Sequence, residues 1–182
     1  TVKEATADPA NMKRTRECCG DDFTILSGDD GMTFQMMTDP EIRAGGVISV
    51  ATNVAPAAVA AMVRHLAQGD QAAAKKILDD IAPLFSLVTV KSKEQTPFGE
   101  VECRARNPVG IKTLMTLLGM PCGRCRRPLG KMSAGGLAKV VAAAQAVHAR
   151  NPEVFAPVGE FFGVDVTERL KHPDKFTAGL AY

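Results

Sequence analysis

The order of elements readable in this chain of 182 residues predicts the closing part of a parallel α/β fold with a helical domain after it. Three observations carry that reading. Short β-rich runs near residues 1–4, 23–26 and 45–50 are separated by stretches with helix-start signals. The last of these runs, Gly45 to Val50, is apolar with little strict alternation, as expected of a strand buried on both faces of a parallel sheet. From Asn53 onward, nearly every segment with a period shows the helical one.

Taken in order, Thr1-Val2-Lys3 reads as the end of a strand, followed at once by a helix start. Asp8-Pro9 supplies an N-cap and first helical residue, and Gly20 closes that helix. Phe23-Thr24-Ile25-Leu26 forms a second strand that stops at the small, polar Ser27-Gly28-Asp29-Asp30. Residues 31–44 are Met-rich and make a short helix that Asp39-Pro40 interrupts. After the third strand, Asn53 and Pro56 open an Ala-rich helix ending near Gly69. Asp70 caps another, with Ile77, Ile81, Leu84, Phe85 and Val88 on one face. Val90 to Arg106 lacks helical periodicity and reads as a loop or small hairpin. Asn107-Pro108 leads a helix to Gly119, and a turn-rich passage separates it from a helix opening at Ser133. Two shorter helices follow, one from Asn151-Pro152 to Gly163 and one capped by Asp165 with Glu168 three residues on.

The predicted order is thus strand end, helix, strand, helix, strand, helix, and then helices only. Three strands cannot close a barrel of eight, and a complete (β/α)8 barrel usually takes about 250 residues. The expected architecture is therefore the C-terminal part of a TIM barrel over residues 1–68, with a helical C-terminal domain over 69–182. A start on Thr in the middle of a strand, with about five strand-helix units unaccounted for, reads as a piece of a longer chain. Three strands on their own would expose Phe23, Ile25, Val47 and Val50 on an inner face, and the chain alone is expected to be catalytically silent.

Composition narrows the partners. A net charge of +2, from 22 basic and 20 acidic residues without a long block of one sign, points to no nucleic acid and no anionic membrane. No apolar run approaches the roughly 20 residues that span a bilayer. Five cysteines, an odd number at irregular spacing, favour reduced thiols in the cytoplasm over a disulfide framework.

Lys3 is the residue with chemistry on offer. Ligands of parallel α/β proteins bind at the carboxyl ends of the strands, and an amine set there among apolar walls can attack a carbonyl carbon and form a Schiff base. Taken alone, Lys3 reads first as a solvated lysine near a chain end; the order of elements after it is what favours the reactive reading.

Four blocks carry a resemblance. V-K-E-A-T at residues 2–6, I-L-S-G-D-D at 25–30, G-V-I-S-V-A-T-N-V-A-P at 46–56 and N-P-V-G-I-K at 107–112 resemble, in order and spacing, the dihydrodipicolinate synthase (4-hydroxy-tetrahydrodipicolinate synthase) family. That family belongs with N-acetylneuraminate lyase among the class I pyruvate-dependent aldolases. The resemblance extends to about Lys131, and S-G-D-D with G-V-I-S-V favours the synthase branch. It implies that Lys3 is the catalytic Schiff-base lysine, that Gly28 brings backbone close to bound substrate, and that Ile48 packs against the pyruvate adduct. It implies pyruvate and an aldehyde as substrates, aspartate 4-semialdehyde in lysine biosynthesis or a related aldehyde, with no cofactor, no metal and a homo-oligomer, commonly a tetramer. A tyrosine and a threonine pair serve the family as proton relay and carboxylate site, all upstream of the lysine. This chain's one tyrosine is Tyr182, and Gly110 stands where proline is usual.

Other motifs have plainer readings. Cys122-Gly123-Arg124-Cys125 has the spacing of half a zinc ribbon, but structural zinc takes four ligands, and two free thiols on a loop are expected instead. Asp29-Asp30 as a Mg²⁺ pair gives way to strand-end structure. Arg124, Arg126 and Arg127 read as a solvated loop or a subunit contact. Two classes of function remain: a pyruvate-dependent carbon-carbon lyase, and a non-catalytic half-barrel that mediates assembly. Sequence ahead of Thr1 bearing a Thr-Thr pair and a Tyr separates them.

Overall fold

The first strand, β1 (Val2–Glu4), pairs in parallel with β2 (Ile25–Ser27), and β2 pairs in parallel with β3 (Gly46–Val47), giving a sheet ordered β1-β2-β3. In this computed structural model, which describes residues 1–182, α1 (Pro9–Cys19) and α2 (Thr33–Thr38) form the two crossovers. Asp8 caps α1 by accepting from the Ala10 N–H at 3.0 Å, with Pro9 in the first turn where its missing N–H costs nothing. The helices cover the face of the sheet that carries Ile25. Met12, Ile25, Met36 and Ile42 are fully buried in one cluster, with Val2 and Phe23 packed against it.

That packing reverses one expectation. Ile25 lies on the helix side of the sheet, Phe23 joins it, and Val47 shares the face of its register partner Ser27. The period of two leaves Lys3, Leu26 and Ile48 on the opposite face, so Phe23, Ile25 and Val47 lie on the helix side instead of the inner one, and Val50 lies past the end of β3. The strands also differ in extent. β2 starts at Ile25, and the Phe23 carbonyl ahead of it accepts from the Arg16 guanidinium at 2.7 Å. β3 is two residues long rather than six. The Ile48 N–H still donates to the Ser27 carbonyl at 2.7 Å. The Val50 and Ala51 N–H groups then turn to the buried Asp30 carboxylate at 3.1 and 3.0 Å, which takes the chain off the sheet.

The chain divides into two compact units, Thr1–Thr52 with Pro56–Asp80, and Asn53–Ala55 with Ile81–Tyr182. Residues 71–80 therefore fall in the same unit as the sheet. Within the first unit, α3 (Pro56–Ala67) and α4 (Gln71–Ile81) bury Met62, Leu66 and Ala74 together. The face expected to run on to Val88 is broken at Ala82, where a 3-10 helix takes over to Val88. Pro83 forces this, since it has no N–H to give the preceding turn and its ring would meet the carbonyl four residues back.

The second unit is not purely helical, a correction to the helices-only order. After the 3-10 helix, the stretch that reads as a loop or small hairpin forms an antiparallel hairpin of β4 (Thr89–Thr96) and β5 (Gly99–Arg106), paired along all eight residues. Pro97 begins the turn and Gly99 ends it with φ 105°. Only Val90 and Ser92 of the hairpin are buried, so the alternation expected of a strand has too little apolar signal to read from sequence. Four helices follow: α5 (Val109–Leu117), α6 (Ala134–Arg150), α7 (Ala156–Phe162) and α8 (Val166–Lys171). The Asp165 side chain accepts from the Glu168 N–H at 2.8 Å, the cap its sequence announced. Gly110 also has a physical reason. A Cβ there would stand 2.3 Å from the Leu87 carbonyl oxygen, so neither proline nor any residue but glycine fits this close approach.

Ser133 caps α6, and its hydroxyl sits 2.7 Å from that of Ser92. Beside them, the Ser133 and then the Ser92 hydroxyl, helped by the Gly135 N–H at 2.9 Å, hold the Glu94 carboxyl below the usual carboxylate range. A folded pKa below the unfolded one means that the stabilisation is present above the unfolded value and is lost as pH falls through the folded one. Wild-type stability is accordingly expected to fall relative to that of Glu94→Gln as pH drops below about 4.3. Urea melts at pH 3, 4, 5 and 7 check this, and parallel pH profiles for the two proteins would contradict it.

Candidate active site

The β1 triplet alternates half-buried Val2, exposed Lys3 and buried Glu4, which aims the lysine away from the helices. Glu4 holds the turn after the strand. Its two carboxylate oxygens accept from the Thr6 N–H at 2.7 Å and from the Asn11 amide at 3.1 Å. On the neighbouring strand end, the Gly28 N–H donates to the Glu4 carbonyl at 2.7 Å and fixes the Gly28 backbone beside Lys3. The closeness is measurable. A Cβ on Gly28 would lie 2.8 Å from Cγ and Cε of Lys3 and 2.8 Å from Cβ of Ala5. The lysine stem therefore rests on a strand end that has no side chain, and its amine is left exposed.

Ile48 lies just past β3 and is 44% exposed. Its N–H bond to Ser27 extends the ladder, so Lys3, Gly28 and Ile48 occupy consecutive strand ends on one side of the sheet. Lys3 and Gly28 are in contact, and Ile48 stands one strand further along.

The acidic pair after β2 is engaged in holding these ends. Asp29 accepts from the Gly31 N–H at 3.2 Å, and Asp30 gathers Val50 and Ala51 as described. The Ser27 hydroxyl, fully buried, donates to the Asp29 carbonyl and accepts from Thr33. Glu4 is a positioning residue that sequence reading passed over, and Asp30, expected as strand-end structure, is a second. The alternation of V-K-E could have flagged Glu4, whereas nothing local to Asp30 announces that it will reach a segment 20 residues away.

In the second unit, Cys122 and Cys125 line a cavity of about 190 Å³ with Lys112, Arg124 and Lys131. Burial pushes the Cys122 thiol up, against a smaller pull from Lys112. No group of three or more His, Cys, Asp or Glu is arranged so that it could hold a metal ion. The Tyr182 hydroxyl accepts from the Lys131 N–H at 3.3 Å, and the residue is 85% exposed.

Parallel strands joined by helices, with an amine and a bare glycine at adjacent strand ends, define a parallel α/β protein with Lys3 and Gly28 at the carboxyl edge of its sheet. The chain belongs to the dihydrodipicolinate synthetase family, which it matches over residues 1–147. It is 35% identical over 128 residues to the 4-hydroxy-tetrahydrodipicolinate synthase of Idiomarina loihiensis, covering 70% of this chain and 38% of that one. To the enzyme of the same name from Methanosphaerula palustris it is 34% identical, covering 73% and 40%. The structure of 4-hydroxy-tetrahydrodipicolinate synthase from Methylacidiphilum fumariolicum superposes with a TM-score of 0.69 at 27% identity, over 84% of this chain and 45% of that one. Dihydrodipicolinate synthase from Aquifex aeolicus gives 0.63 at 33% identity, over 79% and 43%. The chain thus spans about 40% of the length of these curated relatives. No helix is long and apolar enough to cross a membrane.

Proposed function

We infer that this chain carries the Schiff-base lysine of a pyruvate-dependent carbon-carbon lyase, and that the whole activity is the condensation of pyruvate with aspartate 4-semialdehyde by a 4-hydroxy-tetrahydrodipicolinate synthase. The contact of the Lys3 stem with the bare Gly28 strand end carries this reading, because it seats a lysine at the strand ends where ligands of parallel α/β proteins bind. The Lys3 amine in its neutral form adds to the keto carbon of pyruvate, and the carbinolamine loses water to an iminium. Loss of a proton from the pyruvate methyl group gives an enamine, whose carbon attacks the aldehyde. Gly28 admits the adduct and Ile48 closes its apolar side. The tyrosine and threonine pair that the family resemblance places ahead of the lysine would relay the protons. The lone tyrosine here, Tyr182, is engaged with Lys131.

On this reading the three strands are the last part of an eight-stranded TIM barrel, with residues 1–68 as barrel and 69–182 as the C-terminal domain. The enzyme works as a cytoplasmic homo-oligomer. Borohydride reduction in the presence of pyruvate tests the central step. In the protein that carries these residues, the peptide containing Lys3 is expected to gain a reduced pyruvyl group, and Lys3→Ala to abolish it. Undiminished labelling after Lys3→Ala would remove Lys3 from the chemistry, and a folded wild type that takes no label would leave the assembly reading in its place.

A further inference from the structure

The hairpin of the second unit has one open side. β5 pairs with β4 alone, and the backbone groups of Glu100 to Arg106 have no hydrogen-bond partner in the chain outside that pairing. An exposed strand edge eight residues long is a template for another strand. Edges are commonly protected by charge, and β5 does carry charges, but their order is unusual. Read outward from Cys103 in both directions, glutamates lie on one side and arginines on the other at equal distances: Glu102 and Arg104, then Glu100 and Arg106. Between them, Val101 and Ala105 are likewise equidistant from Cys103.

We propose that β5 is a homodimerisation strand, pairing antiparallel with β5 of a second copy about a two-fold axis through Cys103. In that register Glu102 faces the partner's Arg104, Glu100 faces the partner's Arg106, Val101 faces the partner's Ala105, and Cys103 faces the partner's Cys103. An isologous contact requires this self-complementarity. The two faces of the strand also agree with it. Val101, Cys103 and Ala105 are the register partners of Glu94, Ser92 and Val90, on the side of β4 that packs toward α6, whereas the four charged residues face outward. The dimer thus has one small, mostly apolar layer and one layer of opposite-charge pairs, each the unit of stabilisation between antiparallel strands.

Neighbouring registers fail. Moving the axis to Glu102 or to Arg104 sets two like charges directly opposite each other. Within the chain Glu102 meets Arg104 at only 3.7 Å, and Arg106 has no carboxylate partner, so the outward layer is incompletely paired in one copy. Val101 is left 45% exposed to water.

Sedimentation velocity on the full chain over a range of concentrations tests the contact. Wild type is expected to dimerise. Glu102→Arg and Arg104→Glu, each of which sets like charges opposite each other twice, are each expected to raise the dissociation constant by about tenfold or more. An equimolar mixture of those two variants restores both pairs and is expected to form a heterodimer of wild-type affinity. Because each variant is then its partner's control, misfolding cannot imitate the result. In a variant that keeps only Cys103 among the cysteines, a short bismaleimide is expected to join two chains. A wild type that is monomeric throughout, association unaffected by either charge change, or no recovery on mixing overturns the proposal.

Discussion

Gly28→Val is expected to lower the rate of pyruvate trapping on Lys3 by about 100-fold, the loss that misplacing a reacting group by an ångström can cause. The cause is steric. The first added carbon alone would stand 2.8 Å from two carbons of the lysine stem and from Ala5 Cβ, and valine adds two methyl groups to that crowding. The stem can swing aside because it is flexible, but the Ala5 Cβ is fixed to the turn that Glu4 holds. Relief therefore comes from displacing the amine from the strand end. Gly28 has no positive φ, so backbone strain plays no part and the fold is expected to survive with an overpacking cost of about 1–3 kcal/mol. Gly31→Ala, three residues on, meets only an Asp29 oxygen at 3.6 Å and serves as the control that keeps full labelling. Equal labelling of Gly28→Val and wild type, read by mass spectrometry of the Lys3 peptide, would show that the bare strand end has no part in the chemistry.

Arg16→Met is expected to cost the first unit about 3 kcal/mol or more, against a typical domain stability of about 5–15 kcal/mol. Arg16 is 6% exposed on α1 and donates to five backbone carbonyls. Gly20, Asp21 and Phe23 belong to the connection into β2, and Ile42 and Arg43 to the connection into β3. One guanidinium thus ties together the loops that deliver two strands. Methionine preserves the apolar stem but strands those carbonyls, and the better-buried ones cannot all recover water. Arg16→Lys is expected to fall between the two, since an ammonium has three donors and lacks the planar fork that reaches both loops. Urea unfolding followed by circular dichroism gives the comparison, and a loss under 1 kcal/mol for Arg16→Met would show that water replaces the guanidinium without penalty.

Much of the helical content was legible because its signals are local. Asp8-Pro9, Ser133 and Asp165 cap the helices they were expected to cap, and Gly69 and Gly163 follow helices that end where expected. The hairpin was harder to read. β4 and β5 bury only two residues between them, so their alternation is written almost wholly in polar side chains. The six-residue third strand was an over-reading of an apolar run, because strand length depends on where backbone donors go, and Asp30 diverts them.

By itself, the sequence determined the parallel α/β class, several capped helix starts and the block pattern that leads to the family, since capping, turn chemistry and motif spacing act within a few residues. The face on which each strand residue lies, the reach of Asp30 and Arg16 across about 20 residues and more, and the seating of Lys3 on Gly28 were decided only in the tertiary structure. The physical reason is that a strand three residues long has two faces of nearly equal hydrophobicity, and only the helices that pack on it determine which one is covered.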